Sequence, residues 1–218
     1  MMSACPDPLT AAFEAVIWDY DGTLVATGAA DSAAVETLLR RDPSAAEGAA
    51  IFWATEGEPI QARIERAWPG RAAEILPLFD VPVRPDVFRG VRPTLAALRA
   101  AGVLLAVVSS RRCEPLEWGL RATRLRSAFG AVIGLDDVHE PKPSPEGLML
   151  AVRSLGVAVA RTVFVGDSPL DMEAGRRAGV TAWRAAWDER NQARLPEFAL
   201  RRPADVLLWM EGDAAQVV

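Results

Sequence analysis

The chain has 218 residues, 50% of them hydrophobic and 24% charged, with 24 basic against 29 acidic residues for a net charge of −5. That is enough apolar material for one α/β core with a modest insertion, and it excludes wholesale disorder. The acidic balance argues against holding nucleic acid or an anionic membrane by bulk charge, but not against a small anionic substrate held at one local site.

Taken in chain order, residues 1–10 lack the basic start and apolar stretch of a signal peptide. Residues 16–18 form a short apolar run that predicts a buried strand, ending in the polar turn Asp19-Tyr20-Asp21-Gly22-Thr23. Residues 28–85 then show helical patterns and no convincing strand. Asp31-Ser32 can cap a helix to residue 41, and Asp42 can cap a second over residues 43–54. Residues 59–68 and 71–79 predict two more, and residues 81–85 read as a proline-stiffened linker. Trp53 and Trp68 are expected to pack the core of this helical insertion.

Beyond the insertion, strand and helix alternate. A helix over residues 91–101 stops at Gly102, and residues 103–108 predict a buried strand ending at Ser109-Ser110. A helix over 115–128 precedes a strand at 131–133. Ser144-Pro145 reads as an N-cap opening a helix to about residue 155. A strand at 162–165 runs into Gly166-Asp167-Ser168, a helix over 171–178 stops at Gly179, and strands are expected at 180–183 and 205–209. This alternation predicts a mostly parallel sheet with helices on both faces. The longest apolar run, 103–108, is far too short to span a bilayer. Cys5 and Cys113 make no disulfide framework or zinc pattern. A soluble cytoplasmic protein is expected.

In an open parallel sheet, ligands bind outside the carboxyl ends of the strands. The polar groups expected there are Asp19, Asp21, Ser109, Lys142, Asp167 and Asp171. Clustered carboxylates call for a hard cation, and Mg²⁺ takes a few oxygen ligands plus water and phosphate. A lysine and a serine hydroxyl suit phosphate oxygens, and aspartate can serve as a covalent nucleophile toward phosphorus. Lys142 is the only lysine among the 24 basic residues, so a chain that otherwise uses arginine places one compact point charge here. An amine-selective reagent is therefore expected to single it out. His139 reads as a solvated loop residue and Cys113 as an inert thiol at a helix start.

Asp19-Tyr20-Asp21-Gly22-Thr23, Ser109, Lys142-Pro143-Ser144-Pro145 and Gly166-Asp167-Ser168-Pro169-Leu170-Asp171 follow one another in the order of the motifs of the haloacid dehalogenase (HAD) superfamily. The chain resembles its phosphoglycolate phosphatase-like branch. The resemblance implies a Rossmann-like core over residues 1–27 and 86–218 with an all-helical cap over 28–85. It implies Asp19 as nucleophile and Asp21 as acid and base. Ser109 and Lys142, with Ser110 as a further candidate, would bind the phosphoryl group. Asp19, the Asp21 carbonyl and Asp167 would bind Mg²⁺, with Asp171 supporting them from behind. Asp21 argues against the dehalogenase branch, and the lack of any lysine in 28–85 argues against the phosphonate-cleaving branch. The implied activity is Mg²⁺-dependent hydrolysis of a small phosphorylated metabolite by a monomer or dimer. Alternatives are a sugar-phosphate mutase of the β-phosphoglucomutase type and, from another class, a receiver-like phospho-aspartate signalling module. Ala26 and Arg89 depart from the family's pattern, and a loop at residues 55–59 is expected to bear on substrate choice.

Overall fold

The computed structural model describes residues 13–79, 85–188 and 199–210. Its centre is a six-stranded, wholly parallel sheet built from β1 (Ala15–Trp18), β4 (Leu104–Val108), β5 (Ala131–Ile133), β6 (Thr162–Gly166), β7 (Thr181–Ala185) and β8 (Ala199–Leu200). A separate antiparallel pair, β2 (Val25–Ala26) and β3 (Asp86–Val87), closes the neck between sheet and insertion. The sheet order is β5-β4-β1-β6-β7-β8. The chain therefore leaves β1 to one side, runs outward to β5, and returns to the other side at β6. The order reverses at β1, and the crevice at such a switch point is where open α/β sheets bind ligands.

Successive side chains of the central strands point to opposite faces, and both faces are apolar, as expected where helices cover both sides. Val16, Trp18, Leu105, Val107, Val163 and Val165 share one buried cluster with residues of α5 (Val91–Ala100), α6 (Cys113–Ala122) and α9 (Asp205–Met210). Ile17, Ala106, Val108 and Phe164 point the other way, onto α7 (Glu146–Leu155) and α8 (Pro169–Ala178).

Between β2 and β3 lie four helices: α1 (Gly28–Arg41), α2 (Ala46–Ala54), α3 (Ile60–Ala67) and α4 (Ala72–Phe79). They carry their own buried cluster, in which Phe52 stacks against Trp68 at 5.6 Å and meets Trp53 edge-on at 5.1 Å. The Trp68 indole N–H donates to the Ala45 carbonyl at 2.8 Å. The two tryptophans are packing residues, as their place in the helical pattern indicated.

Several elements differ from the sequence reading. Residues 205–209, expected as a strand, belong to helix α9. The Asp205 carboxylate accepts the backbone N–H groups of Arg201 and Arg202, and Val206 and Met210 pack against the sheet. A short apolar run cannot by its pattern distinguish strand from buried helix, and β8 takes the sixth place in the sheet. The helix expected from Asp31-Ser32 begins a turn earlier at Gly28, which leaves Asp31 in its first turn facing α3. Residues 43–45 form a 3₁₀ turn before α2, and the helix expected over 115–128 ends at Ala122, with a second 3₁₀ turn at Arg126–Ala128. Helix α7 starts at Glu146, with Pro145 as its cap residue; Ser144 Oγ accepts the Glu146 N–H at 3.3 Å. Of the linker predicted at 81–85, residues 81–84 lie outside the described residues.

Candidate active site

Asp19 follows β1, Ser109 follows β4 and Asp167 follows β6, so the three central strands each deliver one polar side chain to the switch-point edge. Asp19 is anchored by its N–H, which donates to the Val165 carbonyl at 2.8 Å. Ser109 is held by its N–H on the Ile133 carbonyl at 3.0 Å, and its Oγ accepts the Arg111 N–H at 3.1 Å. The serine proton therefore stays available to a ligand.

Lys142 comes from the loop before α7, joined to Pro143 by a cis peptide. Its Nζ donates to Asp19 Oδ1 at 2.7 Å and to Asp171 Oδ1 at 2.7 Å, with the lysine side chain 5% exposed. Burial alone would lower its pKa, but Asp171 and Asp19 outweigh burial and hold it above the usual lysine value. The ammonium is favoured by its two carboxylates and shielded, so an amine-selective reagent has poor access to it. That corrects the expectation of selective modification.

The other oxygen of Asp171 closes a capping box at the start of α8. Asp171 Oδ2 accepts the Ser168 N–H at 2.9 Å and the Ser168 hydroxyl at 2.6 Å, while Ser168 Oγ accepts the Asp171 N–H at 3.1 Å. One carboxylate thus fixes both the helix start and the lysine.

Asp19, Asp167 and Asp171 each offer an oxygen within 4.8 Å of the others. Burial raises the Asp19 pKa to about 7, with the Asp171 and Asp21 charges adding to it and Lys142 opposing. Burial, then Asp171 and Asp19, push Asp167 well above the ordinary value, with Lys142 and Arg184 opposing. Carboxylates this crowded are relieved by a divalent cation, and an all-oxygen set is the donor chemistry Mg²⁺ prefers. The backbone is shaped around Asp167: Gly22 has φ +72°, and a Cβ there would collide with the Asp167 carboxylate. Thr23 Oγ1 donates to Asp167 Oδ1 at 3.4 Å.

The Asp21 side chain stands apart from this trio. It forms a two-pronged ion pair with Arg111, Nε to Oδ2 at 3.1 Å and Nη2 to Oδ1 at 2.7 Å. Burial would raise its pKa, but Arg111, with a hydrogen bond from Thr27, outweighs burial and leaves it lowered. Of the residues read as metal ligands, Asp19 and Asp167 meet around one point, while the Asp21 carboxylate turns to Arg111. Asp21 was expected to contribute its main-chain carbonyl, so its side chain is free for this pairing. Arg111 was missed by sequence reasoning. Its signal was slight: an arginine two residues after a strand-end serine, in a chain full of arginines.

The helical insertion reaches down to this edge. Ser110 Oγ donates to the Gly57 carbonyl at 2.9 Å, so Ser110 bridges the two parts of the molecule in this structure. Gly57 has φ +91°, and a Cβ on it would press on Ser168 Oγ and Cβ at 2.7 and 2.8 Å. The loop from Thr55 to Glu58 therefore lies directly over the start of α8. Cys113 opens α6 and donates to Asp137 at 3.1 Å; burial and that contact push its thiol up to about 11, which makes it inert. The His139 N–H donates to Glu146, in a loop outside the cluster.

This arrangement of motifs on a switch-point sheet defines a class. The family model described as haloacid dehalogenase-like hydrolase matches residues 80–185, and the chain belongs to that family, on its phosphatase side. The phosphoglycolate phosphatase of Escherichia coli K12 is 31% identical over 195 residues, covering 75% of this chain and 77% of that one. Pyrophosphatase PpaX of Bacillus velezensis is 33% identical over 124 residues, a stretch of 55% of this chain and 57% of that protein. A HAD-superfamily hydrolase of subfamily IA from Geobacter sulfurreducens shares the fold, with TM-score 0.69 at 24% identity over 92% of this chain and 97% of that one. Among the described residues no helix is long and apolar enough to cross a membrane.

Proposed function

We propose that the protein is a Mg²⁺-dependent phosphatase that hydrolyses a small organic phosphate monoester through an aspartyl-phosphate on Asp19. The observation that carries this reading is the position of Asp19. It sits at the end of the central strand, with Lys142 Nζ at 2.7 Å and the Asp167 and Asp171 carboxylates beside it. The Escherichia coli relative named phosphoglycolate phosphatase, matched over 77% of its length, supports the same class of substrate.

In the first half-reaction an Asp19 carboxylate oxygen bonds to phosphorus and the ester P–O bond breaks. Asp21, left ionised by its Arg111 pair before substrate binds, takes up the proton carried by the substrate's phosphate monoanion and passes it to the departing alkoxide, so a neutral alcohol leaves. In the second half Asp21, now ionised, takes a proton from water as the water oxygen bonds to phosphorus. The bond to Asp19 breaks, and inorganic phosphate and the Asp19 carboxylate are released. The ionised form that Arg111 favours is the one the second half requires. Lys142 and Ser109 bind phosphoryl oxygens throughout, with Ser110 next to them. Asp19, Asp167 and the Asp21 carbonyl would hold Mg²⁺, which supplies positive charge against the phosphoryl oxygens.

The α1–α4 insertion acts as a cap that excludes bulk water, with residues 28–85 as cap and residues 1–27 and 86–218 as core. Its loop at Thr55–Glu58 contributes to substrate choice. The test is a panel of phosphorylated metabolites with Mg²⁺, read as inorganic phosphate released. Wild type should turn over at least one, and Asp19→Asn should retain the fold and lose turnover. A folded Asn variant with substantial activity would refute the nucleophile, and a phosphoryl group returned to the substrate would indicate a mutase.

A further inference from the structure

We infer that Arg184 sets the affinity of the metal site: its guanidinium places a fixed positive charge behind Asp167, which weakens the hold on Mg²⁺ and keeps the cation exchangeable. The inference rests on the Mg²⁺-dependent reading above and gives a role to a residue that belongs to none of the four motifs.

The placement of Arg184 follows from the sheet. Strand β7 runs parallel to β6, with Ala182 beside Phe164 and Arg184 beside Gly166. Ala182 and Phe164 both face α8: a Cβ on Gly175 would meet Ala182 Cβ at 2.6 Å and Phe164 Cδ1 at 3.7 Å. Side chains alternate along a strand, so Arg184, two residues beyond Ala182, faces the same way. Trp183 and Ala185, on either side of it, pack with the cluster on the opposite face. On the α8 face, the space beside Gly166 is filled by Asp171, whose Cβ and Cγ would each lie 2.5 Å from a Cβ on that glycine. Arg184 thus stands one strand spacing, about 4.8 Å, from the backbone that leads directly into Asp167, on the face that carries Asp171.

An arginine is out of keeping with this strand. Charged side chains are seldom buried between sheet and helix unless they are paired, yet Arg184 Nε is buried and has no hydrogen-bond partner among the described residues. The acidic cluster supplies the compensating charge. Burial, Asp171 and Asp19 raise the Asp167 carboxyl, and Lys142 and Arg184 oppose them. Lys142 directs its ammonium at Asp19 and Asp171, 2.7 Å from each. Arg184 brings a second positive charge from the β7 side. Against the carboxylates of Asp19, Asp167 and Asp171, the two cations leave one net negative charge. Without Arg184 the same oxygens would carry two, and would draw a divalent cation more strongly. The effect acts through space, so it depends on the charge and not on the shape of the fork.

The test titrates the metal-stripped full chain with MgCl₂ at pH 8.5 by calorimetry, in wild type, Arg184→Met and Arg184→Lys, with no substrate present. Arg184→Met should bind Mg²⁺ about 10-fold more tightly than wild type, the low end of what one neighbouring charge does to the proton affinity of a carboxylate. Arg184→Lys keeps the unit charge and should stay within about 3-fold of wild type. The rise in Tm at a fixed Mg²⁺ concentration should be larger for the Met variant than for wild type, because ligand binding stabilises in proportion to the logarithm of its affinity. Arg184→Gln carries the same comparison if the Met variant fails to fold by circular dichroism. An unchanged affinity in the neutral variants overturns the inference, and so does a Lys variant that shifts as far as the Met variant, which would mark a packing role. Wild type that binds no Mg²⁺ overturns the inference together with the metal half of the phosphatase reading. Tighter binding in the neutral variants, with no phosphate released from any substrate by wild type, upholds the inference and overturns the phosphatase reading alone.

Discussion

Replacing Lys142 by methionine removes the cation that bridges Asp19 and Asp171. In the wild type its Nζ lies 2.7 Å from an oxygen of each, with the two acid side chains 8% and 1% exposed. Methionine fills much of the space of the lysine stem, so little packing is lost. What remains is two buried carboxylates without their shared counter-charge. Breaking a buried ion pair from one side costs about 3–5 kcal/mol. Asp171 keeps its Ser168 hydrogen bonds, so the lower end applies, about 3 kcal/mol. For a chain of this size each kcal/mol shifts Tm by about 2–4 °C, so Tm should fall by roughly 6–12 °C, and Mg²⁺ should recover part of it. Adding Asp171→Asn removes one of the stranded charges, so the double variant should be more stable than Lys142→Met alone. Activity should drop about 10²–10³-fold in kcat, by analogy with the loss of one oxyanion-hole donor. Lys142→Arg should not restore it, because a planar fork does not fit a site built for a compact charge. Thermal melts with and without Mg²⁺, together with steady-state kinetics, read all of this. A Met variant melting within about 2 °C of wild type, or an Arg variant with near-normal kcat, would show that the lysine neither braces the carboxylates nor meets the phosphate.

Three further outcomes are expected. With chelator present, the raised carboxyls of Asp19 and Asp167 mean the folded chain binds protons more tightly than the unfolded one. Their contribution to stability is therefore present at low pH and lost as pH rises from the ordinary carboxylate value of 3.8 towards about 7. Tm should decline from pH 5 to pH 7.5 in chelator, and Mg²⁺ should flatten the slope; a chelated Tm that climbs over this window contradicts the cation site. Gly22→Ala forces a side chain into left-handed backbone and against Asp167. It should cost about 1–2 kcal/mol in backbone strain alone and lower kcat/KM more than stability explains, measured by melts and kinetics in parallel. Gly57→Ala should lift the insertion loop off Ser168 and alter relative kcat/KM across a substrate panel; a uniform loss that tracks Tm would mark a purely structural loop.

The local sequence was enough for the elements whose signals are local. Five of the six strands of the parallel sheet were legible as short apolar runs, because the central strands are covered on both faces and need apolar side chains in both directions. The glycine stops at Gly102 and Gly179 and the helical character of the insertion were legible for the same kind of reason. So were Asp19, Ser109 and Asp167, since strand ends at a switch point are where polar residues gather, and Lys142, which stood out as the only lysine in the chain. Residues 205–209 were misread because a five-residue apolar run has no period of its own; packing onto the sheet, and Asp205 capping the turn, decided for helix.

What only the tertiary structure decided is how those residues spend their hydrogen bonds. Asp171 reads in sequence as a carboxylate at the sheet edge that supports the metal ligands from behind. In the fold, one of its oxygens caps α8 and the other holds the lysine of a loop 29 residues away. Asp21 and Arg111 are 90 residues apart, and nothing in either segment announces the other. Ser110 meets Gly57 across the gap between core and insertion in the same way. Periodicity and turn chemistry act over a few residues and can be read along the chain. A charge finds its partner only after the sheet has ordered its strands, and that ordering is a property of the whole chain.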